Sequence, residues 1–392
     1  MISSMLTPVH VLAFEDIDAY QLHQILGNCV GRFSDLAVAV VRDDAPIPRR
    51  DELIDGLRNY CEVATFENVR PNPTCADIME MFCTPTFRQA DVVLAIGGGS
   101  VLDSAKALAM LATNGGELES YLGNRPRLSV TKKSLPLVLL PTTAGTGSEV
   151  TKVGVYSSDS GRKYTLGSPL MSAHTALLVG SFIDSVPGKL CASTGLDALD
   201  HALESIWNKN ATDVTRRAAE DAAVEVLTWL PQLYQSVMDG KTDRFVQQKM
   251  LQASCMAGIA FSITGTAAGH AISFVLSEDW HVPHGMACAF TLLEVFDMAK
   301  DEPETGASLA RIGRHFHPEL KKQEELVDAL RGQIAAHIQE MRIPRTFKEL
   351  SVELSAEEIP RRFERSFSDP KMHNQKPEFS PDRLYAMLEN KL

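Results

Sequence analysis

Asp197 and His201 stand four positions apart in the stretch G-L-D-A-L-D-H-A-L-E-S, residues 195 to 205, inside an otherwise apolar helical pattern. A helix stacks residues i and i+4 on one face, so both side chains reach one point in space. That point is a metal ion or nothing, because a lone acid and histidine at this spacing are also explained by a solvated hydrogen-bonded pair. Two more histidines lie in G-T-A-A-G-H-A-I-S-F-V-L-S-E-D-W-H-V-P-H-G-M-A, residues 265 to 287. His270 follows a run of small residues suited to close helix packing, and His284 sits between a proline and a glycine at a loop-to-helix junction. Either alone reads as a core or capping histidine. Together with Asp197 and His201 they make three imidazoles and a carboxylate, a set suited to Fe(II) or Zn(II).

A second kind of chemistry is suggested at A-I-G-G-G-S-V-L-D, residues 95 to 103, where a strand runs through Gly97, Gly98 and Gly99 into a helix opened by Ser100. Consecutive glycines let backbone N–H groups approach a ligand, and the helix start behind them favours negative charge, so the loop suits a phosphate. A plain tight turn accounts for one or two of the glycines but not for all three. This is not G-x-G-x-x-G, and it follows a later strand rather than the first, so the usual dinucleotide fingerprint is absent. L-P-T-T-A-G-T-G-S-E-V-T, residues 140 to 151, places the hydroxyls of Thr142, Thr143, Thr146 and Ser148 after another apolar strand. Paired with the glycines it reads as the other wall of a dinucleotide cleft. Asp43, just after a strand, can bond the ribose hydroxyls of NAD, while the neighbouring Arg42 leaves NADP open; a solvated strand end is the plainer account of both.

These residues need a scaffold. The runs PVHVLAF (8–14), LAVAVV (36–41), ADVVLAI (90–96) and LPLVLLP (135–141) alternate with helix-like segments, which indicates βαβ units and a buried parallel sheet. Between residues 147 and 180 the pattern changes to short strands about a D-S-G turn, read as a hairpin. Beyond about residue 185, long amphipathic stretches such as 215–238 and 247–261 replace the strands. The expectation is an α/β domain over 1–185, a parallel sheet with helices on both faces that binds NAD(P), followed by an all-α, metal-binding domain over 186–392.

The 392 residues carry a formal charge of −12, which argues against nucleic acid or an anionic membrane as the main partner. There is no apolar run long enough to cross a bilayer, and the N-terminus lacks the basic and apolar regions of a secretory signal, so a cytoplasmic protein is expected. Seven scattered cysteines without C-x-x-C suggest neither a disulfide framework nor a thiolate zinc site.

In combination, VRPNPT (69–74), GGGSVLDSAKA (97–107), LPTTAGTGSEVT (140–151), GRKY (161–164), STGLDALDHALES (193–205) and VPHGMA (282–287) resemble the iron-containing, or group III, metal-dependent alcohol dehydrogenases over nearly the whole chain. The resemblance implies that Asp197, His201, His270 and His284 bind Fe2+ or Zn2+. It also implies that Gly98, Gly99 and Ser100, with Asp103 close behind, hold the cofactor pyrophosphate, that Thr142, Thr143 and Thr146 lie at the nicotinamide, and that Lys163 lies near the cofactor. The activity implied is NAD(P)H-linked interconversion of a small aldehyde and alcohol by a homodimer or larger homo-oligomer. One position departs from the family pattern: many members have a histidine four residues after the third ligand, and this chain has Phe274. His281 is nearby, but an exposed loop histidine is its simpler description.

The stretch E-S-I-W-N-K-N-A-T, residues 204 to 212, resembles a branch of the family that acts on phosphonoacetaldehyde or sulfoacetaldehyde. On that reading Asn208, Lys209 and Asn210 bind the anionic group of a short aldehyde; otherwise they form a solvated helix end. The alternative activity is that of dehydroquinate-synthase-like lyases, which also combine NAD with a metal but typically use a glutamate ligand in place of the D-x-x-x-H helix.

Overall fold

The computed structural model describes residues 7–67, 69–123 and 125–392. The chain divides into two compact units: residues 1–186 with 242–252, and residues 187–241 with 253–392. Among the described residues no single helix is long and apolar enough to cross a membrane.

The first unit is built on eight strands: β1 (His10–Phe14), β2 (Ala37–Arg42), β3 (Glu62–Phe66), β4 (Val92–Gly97), β5 (Leu137–Pro141), β6 (Val153–Ser157), β7 (Lys163–Gly167) and β8 (Thr175–Val179). Six form one parallel sheet in the order β1-β8-β5-β4-β2-β3. β6 and β7 pair antiparallel as the expected hairpin. The short edge strand β3 lies inside a segment that the sequence pattern leaves among the helices.

Alternate residues Val38, Val40, Leu94, Ile96, Val138, Leu140, Leu177 and Val179 share one buried face of the sheet. Against it pack Leu22 and Leu26 of α1 (Ala19–Val30) and Leu53 and Leu57 of α2 (Pro48–Leu57). The next helices are α3 (Cys75–Phe82) and α4 (Gly99–Asn114). The connection after β2 leads outward to β3, whereas the one after β4 leads the other way to β5. The strand order therefore reverses between β2 and β4, and ligands of open α/β sheets bind at such a reversal, beyond the carboxyl ends of the strands.

The second unit is helical: α5 (Gly188–Ile206), α6 (Asp213–Met238), α7 (Arg244–Thr264), α8 (Ala268–Trp280), α9 (His284–Ala289), α10 (Leu292–Ala299), α11 (Pro303–Phe316) and α12 (Gln323–Glu340), then shorter helical segments to the C-terminus. The start of α7 is an exception to the division expected at residue 185, since residues 242–252 group with the sheet unit. Long-range bonds explain this: Gln248 accepts from Gly180 N at 2.9 Å and donates to Leu178 O at 3.1 Å, and Arg244 pairs with Asp184. Helical periodicity alone does not reveal such partners.

Candidate metal centre and nucleotide loops

Fifteen of the nineteen residues of α5 are buried, including Asp197, Asp200, His201 and Glu204. A helix with so little exposed face is an interior element, and its polar groups must find partners inside the protein. Two glycines permit the crowding. A Cβ on Gly195 would lie 2.1 Å from Leu230 of α6, and one on Gly285 of α9 would lie 2.1 Å from the Ser193 carbonyl oxygen.

Around Asp197 the three histidines converge. From Asp197 Oδ1 the distances are 3.6 Å to His270 Nε2, 3.8 Å to His284 Nε2 and 4.0 Å to His201 Nε2. The His201 ring is stacked between those of Phe261, at 4.1 Å, and His270, at 4.5 Å. Asp197, His201 and His270 are nearly inaccessible, while the His284 side chain is 35% exposed, so the cluster is open on the His284 side.

Asp197 Oδ1 and His270 Nε2 are both buried and lack a hydrogen-bond partner. Such orphaned atoms are costly unless something else satisfies them. Tetrahedral donors ~2.1 Å from one ion stand about 3.4 Å apart; Asp197, His270, His284 and Cys288 bring donor atoms within 4.8 Å of one another, and His201 Nε2 stands 4.0 Å from Asp197 Oδ1. The residues therefore fit a divalent cation. Burial opposes ionisation of Asp197, but His201, His284 and His270 together hold its carboxyl well below the usual carboxylate range.

A second set of groups, overlooked in the sequence, supports the first. Glu204 Oε2 lies 2.8 Å from His270 Nδ1, and the same carboxylate accepts from the backbone N–H groups of Ala267 and His270. No residue of the α8 start caps it with its own side chain, so Glu204 of α5 serves as the cap from outside. Against burial, Glu204 and the other acids around His270 hold its imidazole well above the usual range; with a cation in place of the Nε2 proton, the Nδ1 proton would stay bonded to Glu204 and Nε2 would face the metal as a lone pair. Asp200 Oδ2 is 3.3 Å from the same Nδ1; burial and then Glu204 push this acid up to about 7, so it holds a proton where Glu204 is ionised. The spacing 197, 201, 204 follows one helix face, which is the signal that could have found Glu204. Cys288, one turn after His284 on α9, also lines the cluster, its Sγ 3.8 Å from His284 Nε2. Burial above all pushes its thiol up to about 12.

His281 does not take the place of the family's extra histidine. It ends α8 in the left-handed conformation, φ 56°, with an exposed side chain. Phe274 is one turn beyond His270, its ring centroid 6.2 Å from that of His284. The sequence reading of Asn208, Lys209 and Asn210 as an anion pocket finds no support in their bonding. Asn208 Nδ2 donates to Gly265 O at 3.0 Å, Asn210 Nδ2 donates to Thr264 O at 3.0 Å, and Lys209 pairs with Glu378. Their polar groups are used in fastening the start of α8 and the chain near residue 375, partners too distant in sequence to be foreseen.

In the sheet unit the two expected loops lie side by side. Thr142 N donates to Gly97 O at 3.0 Å, and a Cβ on Gly99 would lie 2.7 Å from Thr146 Cγ2. Gly98 precedes the sixteen-residue α4, whose first N–H groups point out at the strand reversal. Across that reversal Asp43 is bound by Arg50 at 2.6 Å and Ala45 N at 3.2 Å, while Arg42 pairs with Asp51 and Glu67. Ser100 Oγ accepts from Asn72 N at 3.2 Å. Asp103 ties α4 to the hairpin, accepting from Ser148 Oγ at 2.6 Å and Val155 N at 2.9 Å. Both its oxygens are thus engaged within the unit, a role different from the cofactor contact expected of it. Lys163 opens β7. Beneath the loops the buried Lys106 donates to Ser148 Oγ, Thr151 Oγ1 and Val153 O.

Comparison with known proteins matches residues 20–179 to the family described as iron-containing alcohol dehydrogenase and residues 191–392 to its C-terminal domain. The chain is 34% identical over 273 residues to 1-propanol dehydrogenase PduQ of Citrobacter freundii, covering 69% of this chain and 68% of that protein. Among solved structures it is similar to a 1,3-propanediol oxidoreductase, with TM-score 0.87, 25% identity and 98% of each chain covered. It is also similar to sulfoacetaldehyde reductase from Bifidobacterium kashiwanohense in complex with NAD+, with TM-score 0.86, 28% identity and 98% and 97% of the two chains covered.

Proposed function

The chain belongs to the iron-containing alcohol dehydrogenase family, and on that premise we propose that it is an NAD(P)-linked reductase of a short aldehyde, holding Fe2+ or Zn2+ through Asp197, His201, His270 and His284. The observation that carries this reading is the pair of orphaned, buried atoms, Asp197 Oδ1 and His270 Nε2, 3.6 Å apart amid two further imidazoles. A divalent ion bound there supplies Lewis acidity toward an aldehyde or alcohol oxygen, and NAD(P)H supplies the hydride. The chain's own residues do the positioning. Glu204 fixes the tautomer of His270, the stacked rings of Phe261 and His270 fix His201, and the partly exposed flank at His284 admits substrate.

The cofactor assignment rests on Gly97, Gly98, Gly99 and Ser100 at the start of α4, with Thr142, Thr143 and Thr146 beside them and Asp43 across the strand reversal. Short alcohols and sulfoacetaldehyde are named for relatives, so neutral and anionic short aldehydes are both candidates here. Family membership favours dehydrogenation over the lyase chemistry of the dehydroquinate-synthase type. The resemblance also supports a homo-oligomer, a dimer or larger.

Elemental analysis of the purified protein, with NADH and NADPH oxidation measured on propanal and sulfoacetaldehyde, tests the proposal. One equivalent of iron or zinc and aldehyde-dependent loss of reduced cofactor are expected. Full turnover by a metal-free His270→Ala protein would overturn it.

A further inference from the structure

Above the ring of Phe274, at 3.9 Å from its centroid, lies the ammonium of Lys371. That ring is the one facing His284 on the open flank of the histidine cluster. We infer that Lys371 is a specificity-determining residue, binding an anionic head group of sulfonate, phosphonate or carboxylate type carried one or two carbons beyond the aldehyde carbon. The inference rests on the aldehyde-reductase reading given above and names the substrate class for that site.

Three observations support it. First, the lysine is largely enclosed, 17% exposed, yet a single carboxylate, Asp369 at 3.0 Å, is its ion-pair partner among the described residues. The ammonium has three donors; Asp369 meets it with both oxygens, at 3.0 and 3.3 Å, and Phe274 with its face, so a further anion would share donors with the weaker of these contacts. Much of the desolvation and side-chain ordering that an anion site requires has thus been met in the folded protein.

Second, the platform beneath Lys371 is rigid. The turn Pro370–Asn374 is capped by Asp369, Met372 is buried, and Asn374 donates to Thr266 O at 2.9 Å while its carbonyl accepts from Lys209 N at 2.8 Å. The turn therefore rests on the residues that lead into α8, the helix carrying His270 and Phe274.

Third, local charge favours such a cation. Asp197, Asp200 and Glu204 bring three carboxyl groups to the helix face that carries the cluster, and the chain as a whole carries −12, so an anionic substrate is helped by a positive group close by. Lys209 is paired at the surface with Glu378. Lys371 is one ring away from His284, a span matched by a molecule with its carbonyl at one end and its charge at the other.

The test compares the metal-loaded wild type with Lys371→Met and Lys371→Arg. The ratio of kcat/KM for sulfoacetaldehyde to that for propanal is expected to fall roughly tenfold to a hundredfold in Lys371→Met, mainly through KM, and to be largely kept in Lys371→Arg. Binding of unreactive ethanesulfonate, followed by calorimetry, should weaken in the methionine variant to a similar degree. An unchanged ratio, equal losses on both aldehydes, or undiminished ethanesulfonate binding in Lys371→Met overturns the inference while leaving a reductase that still consumes propanal. Failure of the wild type on both aldehydes with either cofactor is a different result, and it overturns the underlying reading together with this one.

Discussion

Glu204 on α5 joins His270 on α8 through a 2.8 Å contact between its carboxylate and Nδ1, and the same carboxylate caps the helix on which His270 sits. One acid thereby sets both the position and the tautomer of a candidate ligand. Glu204→Gln preserves size but presents an amide that cannot satisfy two backbone donors and the ring N–H together. If the amide NH2 faces the ring, Nδ1 becomes the acceptor and Nε2 carries the proton, which removes the lone pair from the site. Metal affinity is expected to fall about 10- to 100-fold, read by competition with a chelator. Wild-type affinity in a folded Glu204→Gln protein would refute the tautomer argument.

Gly285 sits where α9 presses on α5. A Cβ there would lie 2.1 Å from the Ser193 carbonyl oxygen and 2.7 Å from its carbonyl carbon, both backbone atoms that cannot rotate away. Gly285→Ala must separate the helices and carry the adjacent His284 with it. A loss of about 1–3 kcal/mol in unfolding free energy is expected, with weakened metal retention. Gly332, on α12, has no atom within 4 Å of the added methyl and is the control. Its alanine variant should be neutral or more stable by about 0.5–1 kcal/mol. Equal effects of the two substitutions in a denaturant titration would count against the packing account.

The cluster offers both His201 and Cys288 beside Asp197, His270 and His284, and their chemistry separates them. Burial pushes the Cys288 thiol up to about 12, so a cation would have to displace its proton, whereas a neutral imidazole offers a lone pair as it stands. His201→Ala should lower metal affinity by more than the roughly 100-fold that loss of an outer partner can reach, and Cys288→Ala should retain the metal. Metal content after dialysis decides between them, and the reverse pattern would replace His201 by Cys288 in the ligand set.

Much of this was legible in the sequence where local periodicity carries the information. The parallel strands, the glycine loop at the head of α4 and the acid and histidine one turn apart on α5 all follow from short-range spacing. Groups whose meaning depends on distant partners were not legible. Asn208 resembles a surface polar residue until it is seen bonding Gly265, and Lys371 resembles loop charge until it is seen over Phe274. Lys106 and Glu149 are hidden for the same reason, since burial of a charge is a property of the packed unit and not of its neighbours in the chain.

Glu149 gives the sheet unit a stability that depends on pH. It is 2% exposed, and burial pushes its carboxyl from 4.5 up to about 7 against the pull of Lys106. Between these values the unfolded chain has released the proton and the folded chain still holds it. Stability attributable to this group is therefore complete below pH 4.5, declines as pH rises through the window to about 7, and is constant above it. At 1.36 kcal/mol per pKa unit the decline amounts to roughly 3 kcal/mol. Glu149→Gln removes the titration, so its stability relative to wild type should increase by about that amount between pH 4.5 and pH 8. All three tryptophans, Trp207, Trp229 and Trp280, belong to the helical unit, so unfolding is better followed by far-ultraviolet circular dichroism than by fluorescence. Denaturation curves for the two proteins that shift in parallel with pH would show that Glu149 is ionised in the folded state throughout.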